Sequence, residues 1–89
     1  MTICKSVRYV GRVQGVGFRF TAQRLAEEFP VAGHVRNLAN GAVELWAEGE
    51  EDQVRAFLDA VGRRLAGYIE EQTVRDEQPQ NLRGFTIRY

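Results

Sequence analysis

Gly11-Arg12-Val13-Gln14-Gly15-Val16-Gly17-Phe18-Arg19 joins an alternating segment to a segment with helical periodicity. A helix N-terminus has backbone N–H groups without intrahelical partners and carries roughly half a positive charge. Gly15 and Gly17 keep side chains away from those N–H groups and permit the positive φ angles of a concave loop. Arg19 adds a planar guanidinium that can hold two phosphate oxygens. The stretch therefore predicts an anion-binding loop between a strand and a helix.

The composition indicates one small domain whose anion site is local. Its 89 residues provide one core, so we expect a single domain over 1–89. Twelve basic and 12 acidic residues give a formal net charge of zero, which argues against broad binding to nucleic acid or to an anionic membrane. Cys4 has no second cysteine to pair with, and the N-terminus lacks a long apolar run. We therefore expect a cytoplasmic protein.

Periodicity in the first half of the chain predicts a strand, a helix and a hairpin. Alternation predicts a strand from Ile3 to Val13. Apolar residues with helical spacing follow, and Pro30 is predicted to end this helix; they are Phe18, Ala22, Leu25, Ala26 and Phe29. Two further strands, 32–38 and 42–48, are separated by Ala39-Asn40-Gly41, whose Asn-Gly pair suits a tight turn.

The second half predicts another helix, a strand, a polar loop and a closing strand. The helix follows an acidic start that complements its dipole, and its apolar stripe is typical of a helix on a sheet. The predicted ranges are 51–65 for the helix, 69–75 for the strand, 76–83 for the loop and 85–89 for the closing edge strand.

This order predicts an α+β fold of the ferredoxin-like split βαβ type (βαββαβ). The expected architecture is an antiparallel four-stranded sheet plus a short C-terminal edge strand, with two helices on one face. A right-handed crossover makes the first two strands parallel, so their C-terminal ends share a rim, roughly 10 Å apart across the intervening strand. Asn37 has the parity of Val35, assigned to the helix-covered face. We therefore expect Asn37 to face the start of the first helix.

Two motifs match a known family. The stretch from Gly11 to Arg19 resembles the acylphosphatase signature, and Gly33-His34-Val35-Arg36-Asn37-Leu38-Ala39-Asn40-Gly41-Ala42-Val43-Glu44 resembles the second motif of that family. The resemblance covers the chain and implies hydrolysis of the carboxyl-phosphate bond of acyl phosphates without metal or cofactor. It puts the essential arginine and asparagine of the family on Arg19 and Asn37. His34 departs from the pattern, since relatives often have tryptophan there.

The chemistry of an acyl phosphate explains so sparse a site. Its leaving carboxylate has a conjugate acid near pH 4 to 5, about the range of Asp and Glu, so no general acid is needed. Catalysis reduces to holding the phosphoryl group and aligning a water in line with it. We expect Arg19 and the loop amides to bind phosphate and Asn37 to orient the water. The amides are those of Gly15, Val16, Gly17, Phe18 and Arg19.

The expected partner is a small acyl phosphate, with inorganic phosphate or sulfate as a product-like ligand, and we expect a monomer. One His and one Cys make no metal-ligand set, so His34 and Cys4 are interpreted as structural. Two alternatives use the same fold: a noncatalytic anion-binding module and a nucleic-acid-binding module. The second would stack bases on Trp46 of the open sheet face, but Glu44 and Glu48 share its parity and repel phosphates. The chain begins and ends with the domain, which favours an independent enzyme.

Overall fold

The computed structural model describes all residues, 1–89, and confirms the predicted ferredoxin-like α+β fold. The strands and helices follow in the predicted order. They are β1 (Thr2–Gly11), α1 (Phe18–Ala26), β2 (Ala32–Asn37), β3 (Val43–Glu50), α2 (Glu51–Arg64), β4 (Ile69–Glu77) and β5 (Phe85–Arg88).

The five strands form one sheet in the order β4-β1-β3-β2-β5. The first four are antiparallel to their neighbours, whereas β5 pairs in parallel with β2. Because β3 lies between β1 and β2, the C-terminal ends of β1 and β2 share a rim, as predicted. The parallel pairing of β5 brings its C-terminal end to the same rim.

Both helices contribute to one apolar core on a single face of the sheet. The inward positions of β1, β2 and β3 pack there against the apolar stripes of α1 and α2. Alternation in the strands and helical spacing between them thus select the same side of the sheet. The fully buried members include Val7, Tyr9, Val35, Leu45, Phe57 and Val61.

Helix α1 is shorter than the sequence predicted, because it ends at Ala26 and excludes Phe29. The Glu27 N–H group already bonds to the carbonyl of Arg24 at 3.1 Å, and the Glu28 N–H group bonds to that of Leu25 at 2.9 Å. A helix continued to Pro30 would press the proline ring against the carbonyl of residue 26. The chain therefore leaves the helix a full turn early.

Phe29 nevertheless contributes to the core from the turn that follows α1. Its ring lies 5.9 Å from that of Phe57 between centroids. The apolar spacing of Phe29 therefore predicted its burial correctly but its helical structure wrongly.

Strand β4 is longer than predicted. It runs two residues beyond its predicted end, to Glu77, and pairs with β1 as far as Cys4.

The second face of the sheet is less open than the sequence indicated. His34 and Trp46 lie opposite each other there, with rings stacked at 5.8 Å between centroids. His34 is only 7% exposed, however. It shares a cleft with Gln80 and Leu82 of the segment 78–84, which we call the covering loop. Burial, with Arg88 and Arg36 nearby, lowers the pKa of His34.

Glu48 and Glu44 do not form the expected free acidic frame around Trp46. The Glu48 carboxylate is buried and accepts backbone hydrogen bonds from the covering loop. Glu44 forms a 2.9 Å ion pair with Arg36. Both carboxylates have partners within the protein, which the spacing of residues along one strand does not indicate.

Candidate active site

The rim carries a loop of residues 14–17, called the glycine loop, between β1 and α1. A buried side chain fixes the chain on either side of it: Val13 before the loop and Phe18 after it. The Phe18 ring packs on that of Tyr9 at 4.9 Å between centroids, so the first turn of α1 is held against β1. Burial raises the pKa of Tyr9 and keeps its hydroxyl neutral. The loop is therefore short and held at both ends.

Backbone N–H groups in and after the glycine loop lack partners in the protein. Gly15 and Gly17 both have φ of 78°, in the left-handed region. The N–H groups of residues 15–17 donate no hydrogen bond. The Thr21 N–H group bonds to the carbonyl of Gly17 at 2.9 Å, so the amides of Phe18 and Arg19 precede the first helical bond. A row of donors is thus left for a ligand.

Arg19 lies in the first turn of α1, next to these donors. No carboxylate is within salt-bridge distance of its guanidinium. The guanidinium lies over the ring of Tyr89 instead, 5.0 Å from the ring centroid. Its charge therefore adds to the positive end of the helix dipole without neutralisation by an acidic side chain.

Asn37 ends β2 at the same rim. It pairs with Val43, which is fully buried on the helix-covered face, so Asn37 lies on that face as predicted. Asn37 is partly exposed, and its side-chain amide makes no hydrogen bond within the protein. The N–H donors and the carbonyl acceptor of the Asn37 amide are therefore all available to a ligand or water at the rim.

The sequence did not predict that two further residues, Gln14 and Tyr89, contribute to the rim. The Gln14 Nε2 group donates hydrogen bonds of 2.8 Å to the carbonyls of both Leu38 and Ala42, which ties the glycine loop to the β2–β3 hairpin. Tyr89 follows β5, where Arg88 pairs with Arg36, so it lies beside the end of β2. For Gln14, the only feature of the sequence that pointed to the rim was its place inside the first motif. For Tyr89, the closing strand contained no such feature.

The rim can bind an oxyanion but offers no obvious acid or base. Backbone donors, a helix N-terminus and an arginine are the groups that bind phosphate in proteins. No group of three or more His, Cys, Asp and Glu side chains is placed to hold a metal ion. Neither α1 nor α2 has the length and apolar character of a membrane-spanning helix. Fold and site together define an α+β domain of ferredoxin-like topology whose rim carries unpaired backbone donors and an arginine without a carboxylate partner.

The comparisons with known proteins identify the family. The family model described as "Acylphosphatase" matches residues 5–87. An acylphosphatase of Nocardioides sp. is 45% identical over 84 residues, covering 92% of this chain and 84% of the relative. One of Thermotoga petrophila is 38% identical over 84 residues and 93% of each chain. The crystal structure of the Bacillus subtilis acylphosphatase superposes over 100% of both chains with TM-score 0.88 at 32% identity. The chain belongs to the acylphosphatase family.

Proposed function

We propose that the protein hydrolyses the carboxyl-phosphate bond of acyl phosphates to a carboxylate and inorganic phosphate, without a metal ion. The row of unpaired N–H groups in the glycine loop, beside an arginine without a carboxylate partner, carries this proposal. Membership of the acylphosphatase family supports it. In the proposed site, the amides of residues 15–19 and the Arg19 guanidinium bind the phosphoryl oxygens.

The reaction is a direct in-line displacement. A water oxygen forms a bond to phosphorus while the bond from phosphorus to the carboxyl oxygen breaks, and the electron pair leaves with the carboxylate. The proton of the water passes to solvent or to the phosphate formed. Charge grows on the equatorial phosphoryl oxygens, where fixed donors stabilise it with little reorganisation.

The leaving carboxylate needs no proton from the enzyme, because its conjugate acid has a pKa near that of Asp or Glu, about 4. A site without a general acid therefore suffices for this substrate class. It would not suffice for a phosphate monoester, whose alkoxide leaving group is far more basic. The sparse rim thus favours acyl phosphates over ordinary phosphate esters.

Asn37 is proposed to orient the attacking water. An amide oxygen accepts a hydrogen bond from water but is too weak a base to remove its proton. Orientation alone is useful when the electrophile is already activated, because a positioned reactant avoids much of the entropic cost of the encounter. Inorganic phosphate or sulfate would occupy the same donors as a product-like ligand.

We further propose a single-domain monomer in the cytoplasm. Strand β4 lies at an edge of the sheet and carries charged side chains that discourage pairing with another chain, among them Glu70, Glu71 and Asp76. Cys4 is a buried free thiol, which fits a reducing compartment.

The proposal is tested by hydrolysis of benzoyl phosphate with EDTA present. We expect turnover by the wild type, and loss of it in Arg19→Ala and Asn37→Ala variants that remain folded by circular dichroism. Arg24→Ala, which removes an arginine of the same helix away from the rim, is the matched control and retains turnover. A folded wild type that binds phosphate but releases no benzoate would contradict the proposed activity and favour the noncatalytic anion-binding module.

A further inference from the structure

One side-chain amide links the two halves of the rim. Gln14 precedes Gly15, and its Nε2 group donates 2.8 Å hydrogen bonds to the carbonyls of Leu38 and Ala42. Both protons of the amide are thereby used. No other hydrogen bond joins the glycine loop to the β2–β3 hairpin.

The two acceptors belong to a hairpin end that is already fixed internally. The Leu38 N–H group bonds to the carbonyl of Ala42 at 2.8 Å, and the Gly41 N–H group bonds to that of Leu38 at 3.2 Å. The Ala42 N–H group bonds to the side-chain oxygen of Asn40 at 3.0 Å. Gln14 therefore bonds to a turn whose conformation is already fixed by its own hydrogen bonds.

Leu38 directly follows Asn37, so its Cα lies about 3.8 Å along the chain from that of Asn37. The backbone that Gln14 holds is thus the backbone that carries the proposed water-orienting side chain. On the other side, Gln14 adjoins Gly15, the first proposed phosphate-binding amide. The two hydrogen bonds therefore join the backbone next to Gly15 to the backbone next to Asn37.

We propose that Gln14 is a positioning residue that fixes Asn37 relative to the phosphate bound in the glycine loop. This inference rests on the proposed function. Both amide protons of Gln14 bond to carbonyls, so its side chain has no donor left for the phosphoryl oxygens. Its removal leaves the donors of residues 15–19 and Arg19 in place. Phosphate binding should therefore survive a change that misplaces the attacking water.

The test compares wild type with Gln14→Met, which preserves side-chain size and removes both donors. Benzoyl phosphate hydrolysis gives kcat and KM, and competition by inorganic phosphate gives its inhibition constant. We expect kcat to fall about 100-fold, as for a misplacement of about 1 Å, with the phosphate inhibition constant changed less than about threefold. Gln72→Met, on exposed β4, is the control and keeps both values.

A double-mutant cycle separates positioning from a general loss of structure. If Gln14 acts through Asn37, Gln14→Met should lower the residual rate of the Asn37→Ala variant by less than about threefold, although it lowers the wild-type rate about 100-fold. Should Gln14→Met not fold, Gln14→Asn replaces it, since this variant keeps an amide but loses the reach of one methylene.

The outcomes separate this inference from the proposed function. A wild type that turns over, together with a folded Gln14→Met variant of unchanged kcat, would overturn the positioning role and leave the activity standing. Equal losses in kcat and phosphate affinity would also overturn it, since they indicate collapse of the glycine loop. A wild type without turnover would overturn the proposed function, and the role of Gln14 with it.

Discussion

Two loops of this chain present backbone N–H groups, and they differ in whether those groups have a partner within the protein. The covering loop bonds to the protein's own Glu48: the Gln80 N–H group donates to Oε1 at 2.6 Å and the Leu82 N–H group to Oε2 at 3.2 Å. The glycine loop has donors of the same kind with no partner inside the protein. Backbone N–H groups thus bond to a carboxylate of the protein in the covering loop and remain available to a ligand in the glycine loop.

Burial explains why the two loops differ. Glu48 is 6% exposed, and a buried carboxylate without hydrogen bonds would be costly, so the covering loop must satisfy it. The glycine loop lies at the rim, where a Cβ added to Gly15 or Gly17 would meet nothing within 4 Å. Its donors can face water until an anion replaces it. We therefore expect the covering loop to contribute to stability and the glycine loop to contribute to ligand binding.

The largest predicted effect concerns the glycine loop. Arg19→Lys keeps a positive charge but replaces a planar fork with a point charge, so we expect kcat/KM to fall about 100- to 1000-fold, nearly as far as in Arg19→Ala. The rate of benzoyl phosphate hydrolysis measures this, with Arg24→Lys as the control. A lysine variant with most of the wild-type activity would show that charge alone suffices.

The second prediction concerns the covering loop. Glu48→Gln removes the charge that holds the Gln80 and Leu82 amides, so we expect the free energy of unfolding to fall by about 1 to 3 kcal/mol with kcat unchanged. Urea denaturation measures the loss, and Glu70→Gln, on an exposed strand position, is the control. Lower kcat at full stability would mean that the covering loop serves the reaction.

The same variant gives a second readout at Cys4. Burial, together with the nearby Glu48 carboxylate, raises the pKa of this thiol to about 11. Removing the carboxylate charge should lower that pKa, because the thiolate loses a repelling neighbour while the burial remains. The pH dependence of thiol alkylation measures it, and an unchanged pKa would show that Glu48 does not act on Cys4.

The glycine loop could be predicted from the sequence far better than the covering loop. Gly15, Gly17 and Arg19 are neighbours along the chain, so their shared chemistry can be read locally. Glu48 meets Gln80 across 32 positions, and its parity pointed to an exposed frame around Trp46 instead. Gln14 and Tyr89 were missed for the same reason, because their partners are set by tertiary structure.

Element order and core faces were predictable, but some ends were not. Apolar periodicity predicted the strands, both helices and the side of the sheet on which Asn37 lies, because each pattern depends directly on burial. It placed Phe29 in α1 because a buried residue in a turn can keep helical spacing. The parallel pairing of β5 with β2 depends on where the covering loop crosses the molecule, which no local pattern encodes.

The third prediction tests the backbone geometry of the glycine loop. Gly17 is the N-cap residue directly before α1 and has φ of 78°, where alanine costs roughly 1 to 2 kcal/mol. We expect Gly17→Ala to lose stability by this order and to bind phosphate more weakly, since relaxing φ turns the N–H groups away. Gly62→Ala, within α2, is the control and should gain stability. Chemical denaturation and phosphate inhibition measure both effects, and a Gly17→Ala variant with full stability and affinity would contradict the geometry.

The smallest predicted effect concerns the ring under Arg19. Tyr89→Leu removes the aromatic face while keeping an apolar side chain, and an exposed cation–π contact contributes about 0.5 to 1 kcal/mol. We expect kcat/KM to fall roughly two- to fivefold, because the guanidinium becomes less well ordered. Tyr89→Phe keeps the face and should match the wild type in the same assay. Equal losses in both variants would assign the effect to the hydroxyl.

An NMR titration of the ¹⁵N-labelled protein with inorganic phosphate in EDTA tests whether the glycine loop binds phosphate. We expect saturable shifts of the amide signals of residues 15–19, and of the Arg19 Nε–H signal, with the Gln80 and Leu82 amides unchanged. Residues 15–19 that stay fixed while phosphate binds elsewhere, or no saturable binding at all, would contradict the assignment of the glycine loop as the phosphate site.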